Sequence, residues 1–204
     1  TAAIGMRHRN VWIDSVWLPT LSYTMAKRAY QEWLETMPSD RILWGADTVG
    51  QGYGINASMG GLRMYDTMAR TESDLFIHVG DTVYADQPVE KEMRAGDGTL
   101  FMNLTTEAKS KVAETLDEFR GQWEYNLIDD NFRRFNAQTA QFMLWDDHEV
   151  RNNWYPGQIL EDPRYKIENR VDVLAARARR GFFEFNPIRG TEPTTSKVDR
   201  ILPF

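Results

Sequence analysis

Three short apolar runs stand out against a largely polar chain: Ile42-Leu-Trp44, Leu75-Phe-Ile77 and Phe142-Met-Leu144. Each is too short for a helix of ordinary length and is bounded by glycine or acidic residues. The pattern predicts buried strands over Arg41 to Gly45, Asp74 to Val79 and Gln141 to Trp145. Between and around them the apolar positions recur at helical spacing. Helices are predicted over Arg63 to Arg70, over Thr106 to Asp130 with a break near Gly121, over Phe132 to Thr139, and over Arg170 to Phe185 up to Pro187. Upstream, Val11 to Trp17 alternates in part and reads as a strand, and Met25 to Met37 reads as a helix capped by Ser22 or Thr24. Residues 50–61 form a glycine-rich loop without the Gly-Lys-Ser/Thr of a phosphate-binding loop. Residues 86–104 read as a polar surface excursion. Strands alternating with helices imply an α/β sheet with parallel neighbours. All three strands run into acidic residues, and in open α/β sheets ligands sit outside the carboxyl ends of the strands.

At 204 residues the chain accommodates one domain, or one and part of a second. With 42% hydrophobic and 26% charged residues it has the balance of a chain that folds. A net charge of −6 argues against nucleic acid or an anionic membrane as partner of the chain as a whole. It does not argue against a phosphate ligand, because a metal ion outweighs nearby carboxylates. The chain has no cysteine, so any metal site must use oxygen and imidazole donors. Such donors favour Ca²⁺, Mn²⁺, Zn²⁺ or Fe³⁺. No apolar run approaches the ~18 residues of a helical membrane span, and no secretory leader is visible. The first residue is not Met, which reads as a processed, trimmed or fragmentary chain.

The candidate chemistry lies at the strand ends: Asp47 in Trp44-Gly-Ala-Asp47, Asp81 in His78-Val-Gly-Asp81, and Trp145-Asp-Asp-His148-Glu149. Neighbouring strands would bring these carboxylates together. They would repel one another, each raising the other's pKa, unless cations neutralised them. Two metal ions about 3.5–4 Å apart resolve the crowding and can activate a water against a phosphate. The alternative is that each acidic residue caps the turn after its strand. His78, inside an apolar strand, reads as a core histidine. Tyr84 is either a packing residue or a phenolate ligand for Fe³⁺. Asn152 and Asn153 are loop asparagines that could offer carbonyl oxygens to Ca²⁺. Arg120 and Arg189 could meet phosphate oxygens bidentately, or be solvated charges.

Taken together, five motifs resemble the alkaline phosphatase D (PhoD-like) family of metallophosphatases between about residues 41 and 189. They are Trp44-Gly-Ala-Asp-Thr-Val-Gly-Gln-Gly-Tyr-Gly-Ile-Asn56, Phe76-Ile-His-Val-Gly-Asp-Thr-Val-Tyr-Ala-Asp86, Phe119-Arg120, Trp145-Asp-Asp-His-Glu-Val-Arg-Asn-Asn-Trp154 and Asn186-Pro-Ile-Arg189. The resemblance implies an αββα metallophosphoesterase sandwich that hydrolyses phosphate mono- and diesters. It implies Fe³⁺ and Ca²⁺ as cofactors, with Zn²⁺ or Mn²⁺ as substitutes, and an extracytoplasmic location. It implies that Asp81 bridges two metals, that Tyr84 binds the ferric ion, and that Asp47 and Asp147 are ligands. His148 would steady the phosphate in the transition state, with a metal-bound hydroxide as nucleophile. Asn152 or Asn153 would complete a Ca²⁺ shell. The chain departs from the family at Ala46-Asp47, where many members carry Cys-Gln. The family's second half, with further ligands, falls beyond Phe204, so residues 41–204 are expected to form the front half of the domain and a partial αββα sandwich.

Residues 1–40 are expected to be a separate strand–helix segment. From Arg9 to Asp47 the sequence is also similar to the last strand–helix–strand of a metal-dependent amidohydrolase barrel, which would make Asp47 a metal ligand and base. A barrel needs about 250 residues, and no His-x-His pair is present. Three functional expectations follow: metal-dependent phosphoester hydrolysis, amidohydrolase activity through Asp47, or a metal- or phosphate-binding remnant without turnover.

Overall fold

The computed structural model describes residues 42–186. The expected strand over residues 11–17, the helix over 25–37 and Arg189 lie outside the described residues. Three strands form one parallel sheet: β1 (Ile42–Gly45), β2 (Leu75–His78) and β5 (Ala140–Met143), in the order β1-β2-β5. The register aligns Gly45 with His78 and His78 with Met143. The three chain segments that follow therefore leave the sheet at a common edge. Parallel pairing needs long crossovers, and helices supply them. These are α1 (Arg63–Ala69) between β1 and β2, then α2 (Leu116–Asn126) and α3 (Asp130–Gln138) between β2 and β5; α4 (Val171–Phe185) follows the sheet.

Because side chains alternate along a strand, Leu43 and Phe76 share a face. Tyr65 of α1 and Phe132 and Phe135 of α3 cover that face in one aromatic cluster. Tyr65 meets Phe132 edge-on at 4.8 Å between ring centres, an arrangement that the ring quadrupoles favour. Asp66 reinforces the α1–α3 contact by pairing with both Arg70 and Arg134. Asp129 caps α3 through Phe132 N and also accepts from Leu62 N at 2.9 Å. A second core joins α2 to α4: Phe119, Leu174, Ala178 and Val171, all buried, share it with Ala85, Val112 and Val150. The loops after β2 and β5 are thus tied into the same core as the long helix.

Two expectations need correction. The stretch Thr106 to Asp130 is not one helix broken at Gly121. A 3₁₀ turn (Ala108–Ser110) is followed by extended backbone, and α2 begins after Thr115, which forms a reciprocal capping box with Glu118. Gly121 lies inside α2, where a Cβ would fall 2.4 Å from Ala108 Cβ. Its role is close approach, not interruption. The surface excursion over 86–104 also contains structure of its own, an antiparallel hairpin of β3 (Glu92–Arg94) and β4 (Leu100–Met102). Asn103 pins this hairpin to the glycine-rich loop, accepting from Gly54 N and donating to the carbonyls of Gly52 and Glu90. Tyr125 adds a second pin, accepting from Ile55 N and donating to Leu104 O.

Candidate active site

Two of the three strand-end loops turn sharply through left-handed backbone at a non-glycine residue, with φ of 58° at Asp47 and 53° at Asp81. Gly80, at φ 104°, precedes Asp81. A Cβ at Gly80 would sit 2.4 Å from Asp146 Cβ, so glycine is what lets the β2 loop lie against the β5 loop. Asp81, Asp147 and His148 then present ligand atoms that all lie within 4.8 Å of one another. Asp47 is not in this tight group. It reaches the site through Tyr84, whose hydroxyl donates to Asp47 Oδ1. Tyr84 is buried, and its ring lies 4.2 Å, centre to centre, from the His148 ring.

His148 is held on both sides of its backbone. Its N–H donates to Asp81 Oδ1 at 3.1 Å, and its carbonyl accepts from Ala85 N at 2.9 Å. Its Nδ1 lies 2.7 Å from Asp86 Oδ1. An ionised carboxylate can only accept, so Nδ1 carries the proton and Nε2 faces the cluster, 4.0 Å from Asp147 Oδ1. Asp86 is 5% exposed and also accepts from Asn152 N at 3.0 Å. Glu149 is buried behind the cluster. Its two oxygens accept from the amides of Asp81, Thr82, Val83 and Asp146.

The electrostatics are those of crowded acids. Burial, followed by the charge of Asp146, pushes the Asp81 carboxyl up to about 7, against the opposing pull of His148. Burial and the charge of Asp147 also raise Asp146. Burial, above all, pushes Glu149 up to about 8, while its backbone donors pull the other way. Tyr84 is raised by burial and by its hydrogen bond to Asp47, so its phenol stays protonated without a cation beside it. Burial works against the charged form of His148. The hydrogen bond to Asp86 and the charges of Asp86, Asp81 and Asp147 outweigh it and raise the pKa. A bound cation would reverse the penalty on every one of these carboxyls. The Asp81 and Asp147 carboxylates at this spacing fit a hard or borderline divalent or trivalent ion, with the His148 imidazole facing the same space.

Asn152 and Asn153 are exposed, and the contacts that place them use backbone amides: Asn152 N donates to Asp86, and Asn153 N donates to Asp147 Oδ2 at 2.6 Å. Arg120 lies where α2 meets α4. Its Nε and Nη2 donate to Glu184 and its Nη1 to Asp117, so a phosphate contact would require those pairs to part. His78 is a core histidine, 1% exposed, hydrogen-bonded to Thr48 and Thr82, and held at a pKa of about 4 by burial. Asp86 and Glu149 are the residues to which sequence reasoning gave no role of their own. Both stand inside quoted motifs, but their partners are a histidine and backbone amides more than 60 positions away.

The fold and the site together define an α/β protein with a candidate metal centre at the carboxyl edge of a parallel sheet. A sequence model of the PhoD-like phosphatase family matches residues 42–202, and the chain belongs to that family. It is 30% identical over 125 residues to alkaline phosphatase D of Bacillus subtilis (strain 168), a match that covers 61% of this chain and 20% of the relative. A solved structure described as the structure of PhoD superposes with a TM-score of 0.52 at 23% identity, covering 75% of this chain and 27% of that one. The chain therefore spans about a fifth to a quarter of the length of these relatives. Among the described residues no helix is long and apolar enough to cross a membrane.

Proposed function

We propose that this chain contributes the Asp81–Asp147–His148 part of a metal-dependent phosphoester hydrolase site acting on phosphate mono- or diesters. The observation that carries the reading is the convergence of those three groups within 4.8 Å at aligned strand ends, in a chain of the PhoD-like phosphatase family. In this reading Asp81 and Asp147 would be the carboxylates that hold the cations, with Asp81 common to both. Asp47 and Tyr84 would act as a further oxygen pair, and Asn152 or Asn153 would complete a Ca²⁺ shell. Fe³⁺ and Ca²⁺ are the proposed ions, with Zn²⁺ or Mn²⁺ as substitutes. When bound, they supply Lewis acidity, polarising the phosphate and making a water acidic enough to attack it.

The chain's own groups do the rest. Asp86 keeps the proton of His148 on Nδ1 and the ring in one orientation. That leaves Nε2 to face a phosphate oxygen and, when protonated, to donate to it as charge develops. Arg120 and Arg189 are the proposed phosphate contacts at the rim. Nothing among the described residues adds to the amidohydrolase reading. The test is turnover of p-nitrophenyl phosphate and bis(p-nitrophenyl) phosphate by the purified chain, with metal analysis of the same sample. Metal bound together with turnover supports the reading. Metal bound without turnover makes the chain a binding remnant.

A further inference from the structure

Glu149 has a hydrogen-bond pattern that the motif around it does not explain. As the third residue of the short turn Asp147–Glu149 it completes a capping box, accepting from Asp146 N at 2.8 Å. That accounts for one bond. Its other three acceptor contacts reach a different loop, 66 to 68 positions away: Asp81 N at 3.2 Å, Thr82 N at 2.7 Å and Val83 N at 3.3 Å. Three consecutive amides converge on one carboxyl group at the sharp turn where Gly80 and Asp81 both have positive φ. Successive backbone N–H groups gathered by a turn form a concavity that suits an oxygen acceptor. Here the group held there is an internal carboxyl side chain, 2% exposed.

The junction is closed from the other side as well. Asp81 Oδ1 accepts from His148 N at 3.1 Å, so each loop gives the other a carboxylate and receives it at an amide. Glu149 Oε2 serves both loops, accepting from Asp81 N and from Asp146 N. We propose that Glu149 is a positioning residue that fixes the spacing between the Asp81 loop and the Asp146–His148 loop, and through that spacing the metal affinity of the site. The inference rests on the metal-site reading above. Glu149 itself touches neither metal nor substrate. Its effect runs through the backbone that carries Asp81 and Asp147.

Glu149→Gln keeps the shape and replaces one oxygen by an NH₂ group. Whichever way the amide turns, two backbone N–H groups then face a donor. Residues that orient ligands typically change metal affinity by about 10–100-fold when altered. Mn²⁺ affinity of the full chain, measured by calorimetric titration, is expected to fall by that factor in Glu149→Gln. Glu118→Ala is the control, because it removes the corresponding capping-box carboxylate in α2, where Glu118 accepts from Glu114 N and Thr115 N. It should lower the melting temperature and leave Mn²⁺ affinity unchanged.

Equal Mn²⁺ affinity in Glu149→Gln and the unaltered chain overturns the proposal. So does an equal loss in both variants, which would make Glu149 a general stabiliser. Hydrogen exchange in the metal-free unaltered chain is the second arm and does not depend on the variant folding. The amides of Asp81, Thr82 and Val83 should exchange slowly, and fast exchange at all three overturns the clamp. If the unaltered chain takes up no Mn²⁺, the metal-site reading fails, and the exchange result alone decides whether the clamp exists.

Discussion

Gly80→Ala tests the approach of the two loops directly. The backbone at this position has φ of 104°, where an L-residue with a Cβ is strained by about 1–3 kcal/mol. The added methyl would also lie 2.4 Å from Asp146 Cβ, 3.0 Å from Asp146 N and 3.3 Å from Asp146 Cα. Carbon–carbon contacts settle at about 3.5–4.0 Å, so the overlap exceeds 1 Å by rough subtraction. Asp146 cannot easily retreat, because its amide is bonded to Glu149 Oε2. Overpacking of this kind adds about 1–3 kcal/mol. The two effects together predict a loss of about 2–6 kcal/mol, a large part of the roughly 5–15 kcal/mol that stabilises a typical domain. Urea denaturation followed by circular dichroism measures it. Gly96→Ala is the control, since a Cβ there meets nothing within 4 Å, and it should stay within about 0.5 kcal/mol of the unaltered chain. If the two substitutions cost the same, the β2 and β5 loops do not meet as described.

Two further predictions follow from buried groups. His78 is held at about 4 against an ordinary 6.5, so the unfolded chain binds the extra proton first as pH falls. Stability from this group is complete above pH 6.5 and is lost as pH drops toward 4, by about 3 kcal/mol. His78→Gln should flatten the fall in denaturation midpoint between pH 7 and 4, and an unchanged slope would remove His78 as its cause. Asp86→Asn should lower kcat of an active preparation by about 10–100-fold, the scale seen when a residue that orients a functional histidine is altered. The circular dichroism spectrum should be unchanged, and full retention of kcat would show that the Nδ1 contact does not position His148.

Much of the fold was legible because its signals are local. Ile42-Leu-Trp44, Leu75-Phe-Ile77 and Phe142-Met-Leu144 are apolar runs with acidic ends, and the structure aligns them as one parallel sheet. That alignment was enough to expect Asp47, Asp81, Asp147 and His148 near one another, but the turns of the loops decide the outcome, and they bring Asp81, Asp147 and His148 within 4.8 Å while leaving Asp47 outside that group. The errors have equally physical causes. Gly121 looked like a helix break because a glycine's need for close packing leaves the same mark as a break. The β3–β4 hairpin was hidden because its strands are three residues long and mostly polar or exposed. Asp86 and Glu149 were illegible because a buried acceptor is defined by donors far along the chain, and a single sequence does not show which amides will arrive.

The central claim is that Asp81 holds metal while His148 serves the phosphate. Metal content per chain, by elemental analysis of the unaltered protein, Asp81→Ala and His148→Ala, tests it most directly. Under the proposal Asp81 would serve both cations and has no substitute, so Asp81→Ala should empty the site. His148→Ala should keep nearly all the metal while kcat falls by about 10²–10³, the typical loss for one transition-state donor. If Asp81→Ala retains the metal of the unaltered chain, or if His148→Ala loses metal as completely as Asp81→Ala does, the assignment of these two residues is wrong.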